Sequence, residues 1–241
     1  MGQGGACPKI APPMTDAKPA TTPRRKSVRA VKPEGQWHHG NLRESLIQWG
    51  THLLDTEGSE AMSLRATAKL AGVSQGAPAH HFGDKNGLLA AIAAQGFRDL
   101  VSQRQRRLAM VDAADGPGQL RAVLLTYIAF AQAHPARFQL MFGPLLGRRD
   151  DYPELVEAGT ASFAMLRSVV LPLLPSPRAD LLTEDEVANI VWAAAHGLAT
   201  LRMHGRGAPI RTGPRPSAEQ IGEALVRFCL LAIDGLATDH A

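Results

Sequence analysis

The 241-residue chain has only two cysteines, Cys7 and Cys229. That excludes a disulfide framework and suits a reducing compartment. Cys229 falls in an apolar helical pattern and reads as a small core residue rather than a nucleophile. No apolar run approaches the roughly 18 residues needed to cross a bilayer; VVLPLLP at 169–175 is short and broken by proline. The N-terminus lacks the continuous apolar core of a secretory signal, and Ala6 stands where N-myristoylation wants Ser or Thr. These absences predict a cytoplasmic chain with no membrane partner. Metal-ligand spacing is missing too. The pairs His38-His39 and His80-His81 have no Cys or carboxylate at ligand distance, and adjacent histidines on a helix point apart. No metal or cofactor is expected.

What is present is an ordinary globular composition, 45% hydrophobic and 20% charged, with the charge unevenly placed. Residues 1–36 carry seven Lys/Arg against two acids, a net of +5, while the whole chain is +4. The remainder is therefore close to neutral, at −1. A tail rich in Pro, Ala, Thr and basic residues cannot bury enough apolar surface to fold alone. Two readings stay open for it: an arm that sweeps along a polyanion such as DNA, or an ordinary leader or a start assigned too early.

From Asn41 onward the apolar spacing is helical. Leu42, Leu46, Trp49, Leu53 and Leu54 share a stripe, Asn41 and Glu44 form a capping-box-like start, and Gly58 is the expected stop. A second helix follows Ser63 and runs to Ala71, where Gly72 permits a tight turn. Ser74 is the next candidate cap. Asp84 should cap a long helix through Leu88, Ile92 and Phe97 towards Leu108. Further helices are expected over roughly 118–133, 135–143 and 153–171. Prolines break 172–182, and Thr183/Glu186 and Ser217/Gln220 form capping boxes that open two helices of about 20 residues each. Between those two, 205–216 is a Gly/Pro/Arg loop. No stretch alternates with period two and no internal repeat is visible. The fold class is all-α.

The stretch AGVSQGAPAHHFGDK (71–85) contains G-x-S-x-G, Gly72 to Gly76, which could present a hydrolase serine on a strained elbow. That elbow needs a strand leading into it and a sheet beneath. LRATAKLA precedes it, helical by composition, so no catalytic residue is assigned and Ser74 reads as a helix cap. The alternative uses the whole stretch: an eight-residue helix, a turn with Gly, and a second short helix form a helix-turn-helix. The second helix would expose Gln75, Gly76, Ala79 and His80 and bury Ala77 and Phe82. Pro78 costs about 3 kcal/mol inside a helix but little in its first turn, so this helix starts near Gln75 or later and is short.

Residues 37–93, WHHGNLRESLIQWGTHLLDTEGSEAMSLRATAKLAGVSQGAPAHHFGDKNGLLAAIA, resemble the DNA-binding domain of the tetracycline-repressor family of bacterial regulators. The marks are SLRATAKLAGVS, HHF followed by DK, and the long fourth helix; the HHG-x-LR start and the proline in the recognition helix resemble one subgroup. AHPARFQLMFGP (133–144) and VWAAAHGLATL around Trp192, His196 and Gly197 resemble the companion domain. Beyond the basic tail (1–36), which its composition leaves disordered, the resemblance implies a three-helix DNA-binding domain (37–88) and a helical effector-binding and dimerisation domain (89–241) joined to it by the long helix. It implies that Gln75, Gly76, Ala79 and His80 face the major groove beside the cap Ser74. Ser63 and Arg65 would approach the sugar-phosphate chain or a base edge, Lys85 would meet a phosphate, and His38 and His39 would reach the backbone or minor groove. Ala79 stands where the family usually has Tyr, so an aromatic contact is missing.

For the second domain the resemblance implies a small-molecule cavity with candidate lining residues Phe97, Tyr127, Phe130, His134, Phe138, Met141, Phe142, Phe163 and Trp192. Plain core packing is the competing role for each, and Tyr127 and His134 are the expected polar contacts. His196 is read as a packed, hydrogen-bonded histidine. The last two helices, 184–203 and 217–236, would pair in a homodimer matching a palindromic operator on double-stranded DNA. Residues 37–88 carry four Lys/Arg against five acids, so affinity per protomer should be modest. The expected function is a transcriptional regulator, a homodimeric repressor released by an effector, and not an enzyme. Two other classes compete: an enzyme using Ser74 or a histidine pair, and an all-α adaptor whose helix-turn-helix binds protein.

Overall fold

The computed structural model describes residues 42–176, 182–203 and 216–237. The basic tail, His38, His39, Asn41 and nearly all of the 205–216 loop lie outside them. Every regular element among the described residues is helical. Helix α1 spans Leu42–Ala61, α2 Leu64–Ala71, α3 Ala77–Phe82 and α4 Lys85–Leu108. They are followed by α5 (Gly116–Ala133), α6 (Pro135–Phe142), α7 (Pro153–Val170), α8 (Glu184–Met203) and α9 (Ala218–Asp234), with short 3-10 turns at Pro144–Leu146, Arg149–Asp151 and Leu171–Leu173.

Local chemistry sets most of these boundaries. Gly58 interrupts α1 with φ 83° and ψ 175°, a region open almost only to glycine. Ser63 caps α2 by accepting the Ala66 N–H at 3.1 Å. Asp84 does the same for α4 from Gly87 N–H at 2.8 Å. Both expected capping boxes form: Glu186 accepts from Thr183 N–H at 2.7 Å, and Ser217 exchanges bonds with Gln220. Each such cap contributes about 1 kcal/mol. Cys229 is buried on α9, as its apolar pattern implied.

Packing then joins the helices through one of them. The N-terminal half of α4 buries Leu88, Leu89 and Ile92, and its second half buries Gly96, Phe97, Leu100 and Arg104. It packs on α1 and α3 at one end and on α5, α6 and α7 at the other. The result is one apolar cluster from Ile47 in α1 to Ile233 in α9. The described residues accordingly belong to one compact unit, so packing runs on without a break past residue 88. Ion pairs fasten the same seam from outside. Glu154 of α7 accepts from Arg43 of α1 at 2.7 Å and from Arg98 of α4 at 3.4 Å. Arg137 of α6 reaches Asp55 at 3.0 Å and Asp99 at 3.3 Å. Exposed pairs such as those of Glu154 are worth about 0–1 kcal/mol each, and the Arg137 pairs are only partly sheltered, so burial dominates.

One helix is longer and more apolar than the broken run at 169–175 implied. Pro153–Leu173 has the length and mean hydropathy (1.2) of a membrane span. It packs against α4, α5 and α8, and its Arg167 pairs with Asp185 of α8 at 2.7 Å.

Two glycines, one near the end of α1 and one just before α3, should behave oppositely. No atom lies within 4 Å of a Cβ added at Gly58 or at Gly76, but only Gly58 has a positive φ. Gly58→Ala is expected to lose about 1–3 kcal/mol in chemical denaturation through backbone strain alone, while Gly76→Ala leaves stability unchanged or slightly raised.

Candidate nucleic-acid interface and effector cavity

The helix-turn-helix is built by α2, a turn and α3. Gly72 closes α2 in the left-handed conformation (φ 70°), and the Val73 N–H returns to the Ala68 carbonyl at 3.0 Å. The turn is longer than its caps suggested. Ser74 does not cap α3 with its side chain; its carbonyl accepts the Ala77 N–H at 3.1 Å, and Gly76 is the N-cap. Pro78 explains this. It occupies the first turn of α3, where no N–H is required, and it is the buried residue of this helix. Ala77 and Phe82, expected to be buried, are half-buried. The Arg43 guanidinium stacks over the Phe82 ring at 5.5 Å.

This leaves a solvent-exposed edge of Ser74, Gln75, Gly76, Ala79, His80 and His81. The His80 and His81 rings do not diverge as adjacent helical histidines were expected to; their centroids are 5.8 Å apart at 24°. Ser63 and Arg65 are exposed at the start of α2. Lys85 is half-buried, and its Nζ donates to the Ser59 carbonyl at 2.8 Å, so it ties α4 to the end of α1. A helix, not a strand, leads into Ser74, which removes the geometry of a hydrolase elbow.

In the larger half of the unit, a cavity of about 460 Å³ opens between α4, α5, α7 and α8. Of the nine predicted lining residues, Phe97, Tyr127, Phe142, Phe163 and Trp192 line it. Phe130, Phe138 and Met141 do not: Phe130 and Met141 pack in the core, and Phe138 borders the neighbouring groove instead. His134 is not there either: it sits at the start of α6 against Arg137, outside the cavity. A separate groove of about 790 Å³ runs beside it along the end of α1, α6 and α8, lined by Leu54, Glu57, Phe138, Phe142 and His196.

Tyr127 and His196 form a part-buried polar contact. Tyr127 O–H meets His196 Nδ1 at 2.8 Å, and Thr200 Oγ1 lies 3.4 Å from Nε2. Burial pushes the phenol up and the imidazole down. A neutral imidazole that accepts at Nδ1 and donates at Nε2 fits both neighbours.

Sequence reading missed Arg104. It sits in SQRQRRL, which looks like a solvated charged run, yet only 2% of it is exposed. Its Nη1 donates to the Ser162 carbonyl at 3.0 Å and meets Ser162 Oγ at 3.2 Å, and its guanidinium lies 5.2 Å over the Tyr127 ring. The signal was present, since Phe97, Leu100, Arg104 and Leu108 share one helical stripe. Arg149, also unforeseen, lines the cavity and stacks 6.0 Å over the Phe97 ring.

Comparison with known proteins adds an independent line. Residues 46–92 match the profile of bacterial regulatory proteins of the tetR family, and residues 120–228 match the tetracyclin repressor-like C-terminal domain. The HTH-type transcriptional regulator BetI of Paraburkholderia phytofirmans is 39% identical over 84 residues, 34% of this chain and 42% of that protein. BetI of Stenotrophomonas maltophilia is 42% identical over 83 residues, covering 34% and 41%. The chain thus spans about two fifths of the curated relatives it matches. Among solved structures, a protein of unknown function from Rhodococcus sp. RHA1 superposes with TM-score 0.69 at 28% identity, covering 85% of this chain and all of that one. The TetR family regulator PfmR of Thermus thermophilus gives 0.55 at 18% identity over 77% and 97%; that likeness is one of fold.

The histidines give a pH dependence. His196 and His134 are both held below their ordinary value, first by burial and, for His134, also by Arg137. The unfolded chain therefore binds more protons below about pH 6.5, and stability present above that value is lost as pH falls. Thermal midpoints should drop between about pH 7 and 5, and His196→Gln should shallow that slope. An unchanged slope would mean that His196 carries no burial penalty.

Proposed function

The chain belongs to the tetracycline-repressor family of bacterial regulatory proteins, and from that premise we propose that it is a homodimeric, sequence-specific DNA-binding repressor, not an enzyme, released from a palindromic operator by a small molecule. The observation that carries the reading is the exposed edge of α3, held outward by the buried ring of Pro78. Gln75, Gly76, Ala79 and His80 enter the major groove. Ser63 and Arg65 meet the adjoining sugar-phosphate chain, the exposed Ser74 lies beside them, and Lys85 reaches a phosphate with the donors not bound to Ser59. His38, His39 and the basic tail supply further backbone contacts.

Two protomers are needed to place two recognition helices in successive grooves. The last two helices support such pairing. Ile190 and Leu201 on α8 and Phe228 and Leu231 on α9 are exposed large apolar side chains, Phe228 at 66% and Leu231 at 71%. Two apolar helices bared together suit an isologous four-helix contact. The effector occupies the aromatic cavity, and α4, which lines that cavity and also carries the DNA-binding helices, transmits the difference in its affinity for two states. The protein works in the cytoplasm, where its operator is.

Three variants test this by fluorescence anisotropy with duplexes flanking the chain's own gene. Ser63→Asp keeps an oxygen to cap α2 and adds a negative charge, so folding stability should hold while affinity falls. Gln75→Ala should cost about 1–3 kcal/mol on the specific duplex and little on random DNA. Phe228→Asp combined with Leu231→Asp should give monomers with far weaker specific binding. A wild-type chain that ignores every duplex at low salt would sink the reading.

A further inference from the structure

Among the side chains bordering the cavity, Arg104 is the one the fold leaves least satisfied. Its guanidinium is buried to within 2% of full enclosure, lines the cavity, and has an Nε with no hydrogen-bond partner. Both of its bonds to α7 come from Nη1, to the carbonyl and hydroxyl of Ser162. Among the described residues no carboxylate acts on it, and its one charge interaction is with the Tyr127 phenol. Burying an ion without a counter-charge costs several kcal/mol, and burial pulls this guanidinium down to about 10, which still leaves it charged at neutral pH.

The rest of the lining narrows what could supply the counter-charge. Phe97, Phe142, Phe163, Trp192 and Leu166 give apolar walls. Arg149 and Asp150, also bordering the cavity, balance each other in formal charge, and Arg149 Nη2 donates to the Met141 carbonyl. One positive charge therefore remains uncompensated, against walls that favour hydrocarbon. The volume, about 460 Å³, lies within the roughly 300–1,000 Å³ of small-molecule sites.

We propose that the cavity takes a small amphipathic monocarboxylic acid, its carboxylate on Arg104 and its aromatic or acyl body between Phe97, Phe142, Phe163 and Trp192. This rests on the reading of the helical body as an effector domain. The carboxylate accepts from the guanidinium in a charge-assisted bond. The acid thereby supplies a partner to a buried group at the cavity wall that the fold leaves incompletely bonded.

Calorimetric titration of the full-length protein, without DNA, tests it with two acids and their uncharged counterparts: cinnamate and octanoate against cinnamamide and octanamide. At least one acid should bind about tenfold or more tightly than its amide. Arg104→Met should abolish that preference by weakening the acid and leaving the amide unchanged, and Arg104→Lys should keep it. An apolar side chain of similar length in place of a buried charge is commonly tolerated; if Arg104→Met fails to fold, the acid-to-amide ratio of the wild type and of Arg104→Lys decides. Equal affinity for acid and amide, undiminished acid binding by Arg104→Met, or no binding of either acid at millimolar concentration overturns the proposal. DNA affinity is measured separately, so a chain that binds operator but no acid loses only this inference. One that binds acids but no duplex loses the regulatory reading instead.

Discussion

Burial of α4 along nearly its whole length is the constraint on which the molecule depends. Its first turns, through Leu88, Leu89 and Ile92, form the floor beneath α1 and α3. Two turns further on, Phe97 and Arg104 border the cavity. Neither end can shift as a rigid rod without disturbing the packing at the other, because close-packed cores do not deform smoothly. The helix is thus both the support of the exposed edge of α3 and one wall of the cavity.

The polar interactions are arranged around that helix rather than in place of it. Lys85 ties its first turn to the end of α1, Glu154 bridges Arg43 and Arg98, and Arg137 bridges Asp55 and Asp99. Individually these bonds are weak at the surface. Their common feature is α1, whose Ser59, Arg43 and Asp55 are joined in turn to α4, α7 and α6. A seam closed by modest contacts over a continuous apolar layer is one that a bound molecule can bias by a few kcal/mol. The proposed acid would act at the same helix, by filling the place beside Arg104.

Much of this was legible in the sequence because local chemistry decides it. Ser63, Asp84, Thr183 and Ser217 announce helix starts through side-chain oxygens that reach their own backbone, and Gly58 and Gly72 announce stops. The helix-turn-helix followed from the same signals. Errors arose where tertiary packing overrides them. Ser74 has the right side chain for a cap, yet Pro78 fixes the first turn of α3 further along and inserts its ring into the core. Phe130, Met141 and His134 were grouped with the cavity by residue type, and they lie away from it, since type does not say which face of a helix meets space and which meets a neighbour. Arg104 failed in the opposite direction: charge concealed a position that periodicity placed on the buried stripe.

The central claim is that α4 makes the helix-turn-helix and the cavity one cooperative body. Two single-tryptophan chains test it most directly, one keeping Trp49 in α1 and the other Trp192 beside the cavity, with the remaining tryptophans replaced by phenylalanine. Urea titration at equal protein concentration should give coincident midpoints and slopes from the two probes. An earlier midpoint at Trp49, with Trp192 still native, would contradict the account.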